Sequence, residues 1–135
     1  VFKEIEKQDG FTVEEGDIVL LQWGFDKYYL PECNDKEKRE WFGNNAPGIS
    51  ESVCKYFVEK KIRAIGSDSN NCLDPQKDAE HISLRGHQQY FLPNDIPLME
   101  NFVNLTKAPA TGLFAAIPLA IKNGSGCPVR PLLFA

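Results

Sequence analysis

Gly16-Asp17-Ile18-Val19-Leu20-Leu21-Gln22-Trp23-Gly24 is the stretch that decides the fold class of this chain. Ile18 to Leu21 is an apolar run with no polar interruption, and Gln22-Trp23 extends it. That pattern predicts a strand covered on both faces, not one alternating between core and water. Gly24 marks its end. Before it, Val13-Glu14-Glu15 reads as a turn feeding the strand. Val1 to Gln8, with Phe2 and Ile5 among charges, reads as the end of an amphipathic helix. After it comes a long charged and aromatic connection, Phe25 to Asn45, with one helical segment from Asp35 to Trp41. This connection carries Tyr28, Tyr29, Trp41 and Phe42, which either line an apolar pocket or pack in the core. Long connections in compact domains are often functional.

Pro47-Gly48 makes a turn, and Ser50 is placed to cap a helix that runs to about Lys61 with Val53, Tyr56 and Phe57 on one face. A short strand, Ile62 to Ile65, follows and is closed by Gly66. The order of strand, connection, helix and strand indicates mixed α/β structure. Ser67 to Ala79 is polar and reads as loop. A short helix is expected from Glu80 to about Tyr90, stopped by Pro93-Asn94-Asp95. Ile96 to Met99 reads as a strand, with Pro97 confining it to an edge or to a position that needs no donor. Glu100 closes it. Leu113 to Ile121 reads as a buried strand, Asn123-Gly124-Ser125-Gly126 as a turn, and Val129 to Phe134 as a last strand. No internal repeat is present.

The 135 residues are 42% hydrophobic and 25% charged, which suits one domain spanning 1–135. The longest apolar stretch, Gly112 to Ile121, is about half of the roughly 20 residues a membrane span requires, and Pro118 interrupts it. With a net charge of −4, the chain offers no basic face to nucleic acid and little attraction to an anionic membrane. The one local basic run is Lys55, Lys60, Lys61 and Arg63. Glu51 and Glu59 flank Lys55 at four-residue spacing, as on a solvated helix face. Cys33, Cys54, Cys72 and Cys127 form no CxxC pair, and a domain of this size needs no staples. Thiols in a reducing cytoplasm are the expectation. Two Asn-X-Ser/Thr triplets (Asn104-Leu105-Thr106 and Asn123-Gly124-Ser125) occur without a signal-peptide pattern.

Two histidines exist, His81 and His87. Six positions apart on a helix they are about 240° apart around its axis, so both face one ion only if the helix breaks, as Gly86 allows. Glu100 stands at a strand end, where side chains often project into a site. Imidazole nitrogen and carboxylate oxygen suit zinc, manganese or iron. Asp68, Asp74, Asp78 and Glu80 are further carboxylates nearby, and spacing singles out none of them. No GxSxG elbow, phosphate loop or HExxH is present. Cys72 beside Asn71 is a weak nucleophile candidate. Gly124-Ser125-Gly126 offers either backbone N–H groups to an anion or simply a tight turn.

Taken in order, several segments resemble the cyclase family, the group that includes bacterial kynurenine formamidase. Gly16 to Gly24 is similar to the family's GDIVLI strand and the glycine after it. Asn45-Ala46-Pro47-Gly48-Ile49-Ser50 resembles its PGLS turn, and Ile62 to Asp68 its IKAVGxD segment. Pro93 to Asn101 resembles the segment ending in Glu-Asn, and Leu113 to Arg130 the ALPLKIxGGSGSPVR ending. The ordered set covers about residues 13 to 133.

The resemblance implies an α/β, mixed-sheet swivelling β/β/α domain, here incomplete. It also implies hydrolysis of a small-molecule amide or cyclic amide, such as an arylformamide, by metal-activated water. Zinc or manganese is the implied metal, and a homo-oligomer the implied assembly. Glu100 falls on the family's metal-binding Glu. Twelve residues before it stands Gln88, with His87 one position further. Either a one-residue shift lets His87 serve, or Gln88 takes the place as a weaker oxygen ligand. His81 and Asp68 remain further metal or substrate candidates.

The family's HxGTHxDxPxH motif, which supplies most of its ligands, occurs nowhere in these 135 residues. The resemblance therefore implies the C-terminal part of such a hydrolase, its site completed by a missing N-terminal segment or another chain. The alternative is a non-catalytic remnant that binds a small molecule or a subunit.

Overall fold

Three short parallel strands carry the architecture: β1 (Ile18–Leu21), β2 (Ala64–Ser67) and β3 (Leu98–Met99), in the order β1-β2-β3. The computed structural model describes residues 2–29, 35–69 and 86–135. They fall into two compact units, Val1–Leu105 and Thr106–Ala135. The structure is mixed α/β, and no helix among the described residues is long and apolar enough to cross a membrane.

All four residues of β2 are buried, as befits the central strand. In β1 only Val19 is fully buried, and Trp23 beyond it is 42% exposed. The apolar run at 18–23 therefore predicted the strand but overstated its cover. An edge strand shares only one flank with the sheet, so its unbroken apolar run is half-buried. Ile18 pairs with Ala64, Leu20 with Gly66 and Leu21 with Ser67, while Gly66 also pairs with Met99 on the other side. Pro97, which has no N–H, leads into the edge strand β3 and serves the sheet through its carbonyl, which accepts from the Ile65 N–H at 3.1 Å.

Helix α1 (Phe2–Asp9) precedes β1, and α2 (Lys36–Asn44) and α3 (Glu51–Glu59) lie between β1 and β2. Asp35 caps α2 by accepting from the Lys38 N–H. Ser50 occupies the cap position of α3 as expected but makes no side-chain cap bond; its hydroxyl meets that of Ser52. Phe57 and Cys54 of α3 join Ile65, Val19, Phe91 and Ile96 in the core. Phe2 of α1 meets Phe57 edge-on at 4.8 Å. Lys55 pairs with Glu51 at 2.6 Å, one of the two i,i+4 partners read from the sequence.

One buried carboxylate ties α1 into this unit. Glu6 accepts from the Val13 N–H at 2.7 Å and from the Tyr56 hydroxyl at 2.7 and 2.8 Å. Burial pushes the Glu6 carboxyl up, but the Val13 and Tyr56 hydrogen bonds and the Lys60 and Lys3 charges outweigh it and hold it below its ordinary value. The Tyr56 phenol is pushed up to about 12 by burial and by Glu6.

Two helical and strand expectations change. Of the helix expected over 80–90, residues 80–85 lie outside the described residues. From His87 to Phe91 the chain makes one wide π turn, followed by a 3-10 turn at Leu92–Asn94. In the second unit, the buried strand expected over 113–121 is shortened to β4 (Leu113–Ala115), which pairs antiparallel with β5 (Leu132–Phe134). Leu113, Ile117, Leu119 and Ile121 are exposed. Pro118 supplies no donor to a ladder, which is a physical reason for the strand to stop short of it.

Gly66 is confined by close approach. A Cβ there would lie 2.6 Å from Phe102 Cε2, 3.1 Å from Leu20 Cδ2 and 3.2 Å from the Met99 carbonyl. We expect Gly66→Ala to destabilise the chain by about 1–3 kcal/mol, read as a lower midpoint in urea unfolding. Glu6 supplies a pH test. Its folded pKa is depressed, so its stabilisation is present above the unfolded value and is lost as pH falls through the folded one. Unfolding midpoints of the native chain should fall between about pH 6 and about pH 2 by more than those of Glu6→Gln.

Candidate functional site at the carboxyl ends of the strands

In open parallel sheets, ligands bind in the crevice beyond the carboxyl ends of the strands. Here all three strands end on one edge, and hydrogen bonds lace their exits together. β1 leaves through Gly24, whose φ of +68° suits a residue without a Cβ. Its turn is held by Asp68, just past β2. Asp68 Oδ1 accepts from the Trp23 N–H at 2.9 Å and Oδ2 from the Phe25 N–H at 3.0 Å. Ser67, Asp68 and Ser69 are all buried, although the sequence reads as open loop from Ser67 onward. The Ser69 N–H donates to the Ser67 hydroxyl oxygen.

β3 leaves through Glu100 and Asn101. Asn101 takes a φ of +58°, a conformation Asn tolerates better than most side chains. Its N–H donates to the Ser69 carbonyl at 3.1 Å, and that of Phe102 to the Ser67 carbonyl at 2.9 Å. This roots Glu100 against the end of β2. Sequence reading named Glu100 but not Asn101, Ser67 or Ser69 as the residues that seat it. The available signal was the Asn itself, directly after a strand-ending Glu.

His87 Nε2 lies 3.3 Å from Glu100 Oε1, with the side chains 24% and 31% exposed. The π turn presents His87 here, and its Nδ1 is buried. Single π turns recur at functional sites because they widen the local backbone. Phe91, fully buried, anchors one end of this turn. The Tyr90 hydroxyl also fastens it, donating to Glu51 Oε1 of α3 at 2.5 Å. That bond holds the Tyr90 phenol above its ordinary value, and Glu51 likewise raises Lys55. Gln88, the other candidate at this position, is exposed.

The aromatic residues of the long connection gather on Phe25. Its ring stacks on Phe42 at 4.8 Å and on Trp41 at 6.3 Å, and Tyr28 meets Trp41 edge-on at 5.1 Å. Phe25 is buried, while Trp41, Tyr28 and Tyr29 are each more than two-fifths exposed. Because Asp68 holds the Phe25 N–H, this cluster is rooted at the same edge as Glu100.

His81, Asp74, Asp78, Glu80 and Cys72 lie outside the described residues. Asp68 spends both carboxylate oxygens on backbone N–H groups. Gly124 sits in a tight turn, its N–H donating to the Ile121 carbonyl. Among the described residues no three His, Cys, Asp or Glu side chains converge. His87 and Glu100 provide the nitrogen and oxygen donors that zinc or manganese accepts, but a catalytic ion usually takes three protein ligands. The pair therefore fits part of such a site.

Residues 1–72 match the family model described as "Putative cyclase". The chain belongs to the cyclase family. Among curated relatives it is 30% identical over 131 residues to a kynurenine formamidase of Bacillus anthracis, covering 97% of this chain and 54% of that protein. It is 33% identical over 96 residues to one of Bacillus cereus, covering 71% and 44%. This cyclase-family chain thus spans about half the length of the curated relatives it matches. A crystal structure of an isatin hydrolase bound to the product analogue thioisatinate superposes with a TM-score of 0.72 at 24% identity, over 96% of this chain and 49% of that one. A novel cyclase superposes with a TM-score of 0.70 at 17% identity, over 96% and 43%. These two likenesses speak to the fold.

Removing the Asp68 carboxylate strands two N–H groups where the cyclase-family sheet edge is assembled. Asp68→Ala should cost about 1–3 kcal/mol in urea unfolding, and Asp68→Asn, which keeps one carbonyl oxygen, less. Unchanged stability with altered metal uptake would instead mark Asp68 as a ligand.

Proposed function

We propose that this chain forms the part of a metal-dependent hydrolase that supplies His87 and Glu100 to a zinc or manganese site. The substrate class is an amide or cyclic amide such as an arylformamide. The observation that carries this reading is the 3.3 Å approach of His87 Nε2 to Glu100 Oε1, at the edge where the strands end. The relatives' names support the reaction class: the curated ones are kynurenine formamidases, and one structural neighbour is an isatin hydrolase. The exposed rings of Tyr28, Tyr29 and Trp41 on the same edge favour a substrate with an aromatic part.

When bound, such an ion lowers the pKa of a water and polarises the substrate carbonyl. The chain's own residues have simpler tasks. Glu100 contributes a carboxylate oxygen whose backbone is fixed by Asn101 and Ser69. His87 contributes Nε2, placed by a turn fastened through Tyr90 and Phe91. Gln88 is exposed, which favours His87 as the ligand. The remaining ligands, of the HxGTHxDxPxH type, come from a further segment or another copy, and the exposed apolar residues Leu113, Ile117 and Leu119 favour such association.

Equilibrium dialysis against Zn²⁺ and Mn²⁺ tests the assignment. His87→Ala and Glu100→Ala should each weaken binding by about tenfold or more, which is about 1.4 kcal/mol, while Gln88→Ala leaves it unchanged. Undiminished metal occupancy in either of the first two variants would sink the ligand assignment. Combined with a polypeptide carrying the HxGTHxDxPxH motif, the metal-loaded chain should hydrolyse an arylformamide; metal uptake without hydrolysis would remove the enzymatic reading.

A further inference from the structure

Helix α1 and the C-terminal end of α3 enclose an open cavity of about 520 Å³, lined among others by Lys3, Glu6, Lys7, Phe11, Tyr56 and Lys60. Its size is within the range of small-molecule sites. Lys3 and Lys7 are four residues apart on α1 and so share a face. The Lys3 and Lys60 ammonium groups stand 5.5 and 5.6 Å from the centre of the Tyr56 ring. Three lysines therefore line one concavity, and the ammonium groups of two of them, Lys3 and Lys60, are held in part by attraction to the same ring.

Glu6 is the one carboxylate among the lining residues. Its oxygens are turned to the Val13 N–H and the Tyr56 hydroxyl. Among the described residues, none of the three lysines forms an ion pair with a carboxylate within 4.0 Å. Three positive charges against one negative leave the cavity with a surplus of two, in a chain whose net charge is −4. Like charges lining one concavity repel, and an anion shared between them offsets that cost. Lysine ammonium groups serve phosphate oxygens as mobile point charges, and the Tyr56 and Phe11 rings supply an apolar wall.

We propose that this cavity is a binding site for a small soluble polyanion bearing a phosphate or diphosphate group. The site stands apart from the His87–Glu100 pair and does not rest on the hydrolase reading.

Inorganic pyrophosphate is the probe, titrated calorimetrically into the whole chain in phosphate-free buffer of low ionic strength. Saturable binding at one site is expected, with Kd on the order of 0.1–1 mM. The double variant Lys3→Gln/Lys60→Gln should weaken it by about tenfold or more. Lys55→Gln/Lys61→Gln removes the same charge from the neighbouring basic run and should leave Kd within about twofold. Circular dichroism of each variant checks that the fold is intact. Vesicles of phosphatidylcholine with about one lipid in five replaced by phosphatidylserine separate a membrane source of phosphate from a soluble one. No sedimentation with them is expected. The proposal is overturned by the absence of saturable pyrophosphate binding, by equal weakening in both double variants, or by binding to the vesicles alone.

Discussion

The Asp68 carboxylate is the interaction on which the rest of the first unit's functional edge depends. A carboxylate this deeply buried is costly unless its oxygens are bonded, and here each accepts a backbone N–H from the exit of β1. Bonds from N–H groups to an ionised acceptor are stronger than neutral ones. They fix where the chain turns after Gly24, and so where Phe25 and the aromatic rings stacked on it can be. On the other flank of the same buried segment, the carbonyls of Ser67 and Ser69 receive Phe102 and Asn101. Glu100 is seated by that second set of bonds. One stretch of three buried polar residues thus sets the positions of the β1 exit and of Glu100.

Packing behind the edge follows from the central strand. β2 has neighbours on both flanks, and its Gly66 lets Phe102, Leu20 and the Met99 carbonyl close in. Ile65 joins Phe57 of α3 and Phe91 of the π turn in the core. Because Phe91 and Tyr90 bind the π turn to this core and to α3, the height of His87 above the sheet is set by apolar packing plus one phenol–carboxylate bond. The His–Glu approach is therefore a consequence of how helix and sheet pack, and neither residue determines it locally. The chain spans about half the length of the curated relatives it matches, and each bond that builds this edge lies between residues 23 and 102.

Much of this was legible from residue order. The apolar run at 18–21 and the helix after Ser50 carry strong local signals, uninterrupted apolar character and helical spacing. The strand expected at 62–65 is present but runs from Ala64 to Ser67, through Gly66 and not ending at it, because Gly66 pairs with strands on both sides. The ordered motifs, ending in Glu100-Asn101, carried the family. Less legible were features that depend on cover. The run at 18–23 cannot tell an edge strand from a central one, because both need apolar residues toward the core. The run at 113–121 is apolar enough for a buried strand, yet Ile117 and Leu119 stand in solvent in the described unit.

The sequence by itself determined most of the elements, the family and Glu100 as a candidate site residue, because those rest on composition, spacing and order along the chain. It left His87 and Gln88 open, since a one-residue shift is invisible to spacing. It also left Asp68 undecided among carboxylates of equal appearance. Tertiary structure brought His87 to Glu100 while leaving Gln88 in solvent, and gave Asp68 two backbone partners 43 and 45 residues away. The physical reason is that burial and hydrogen-bond partners arise between segments distant in sequence, and a carboxylate's role depends on which N–H groups the fold carries to it.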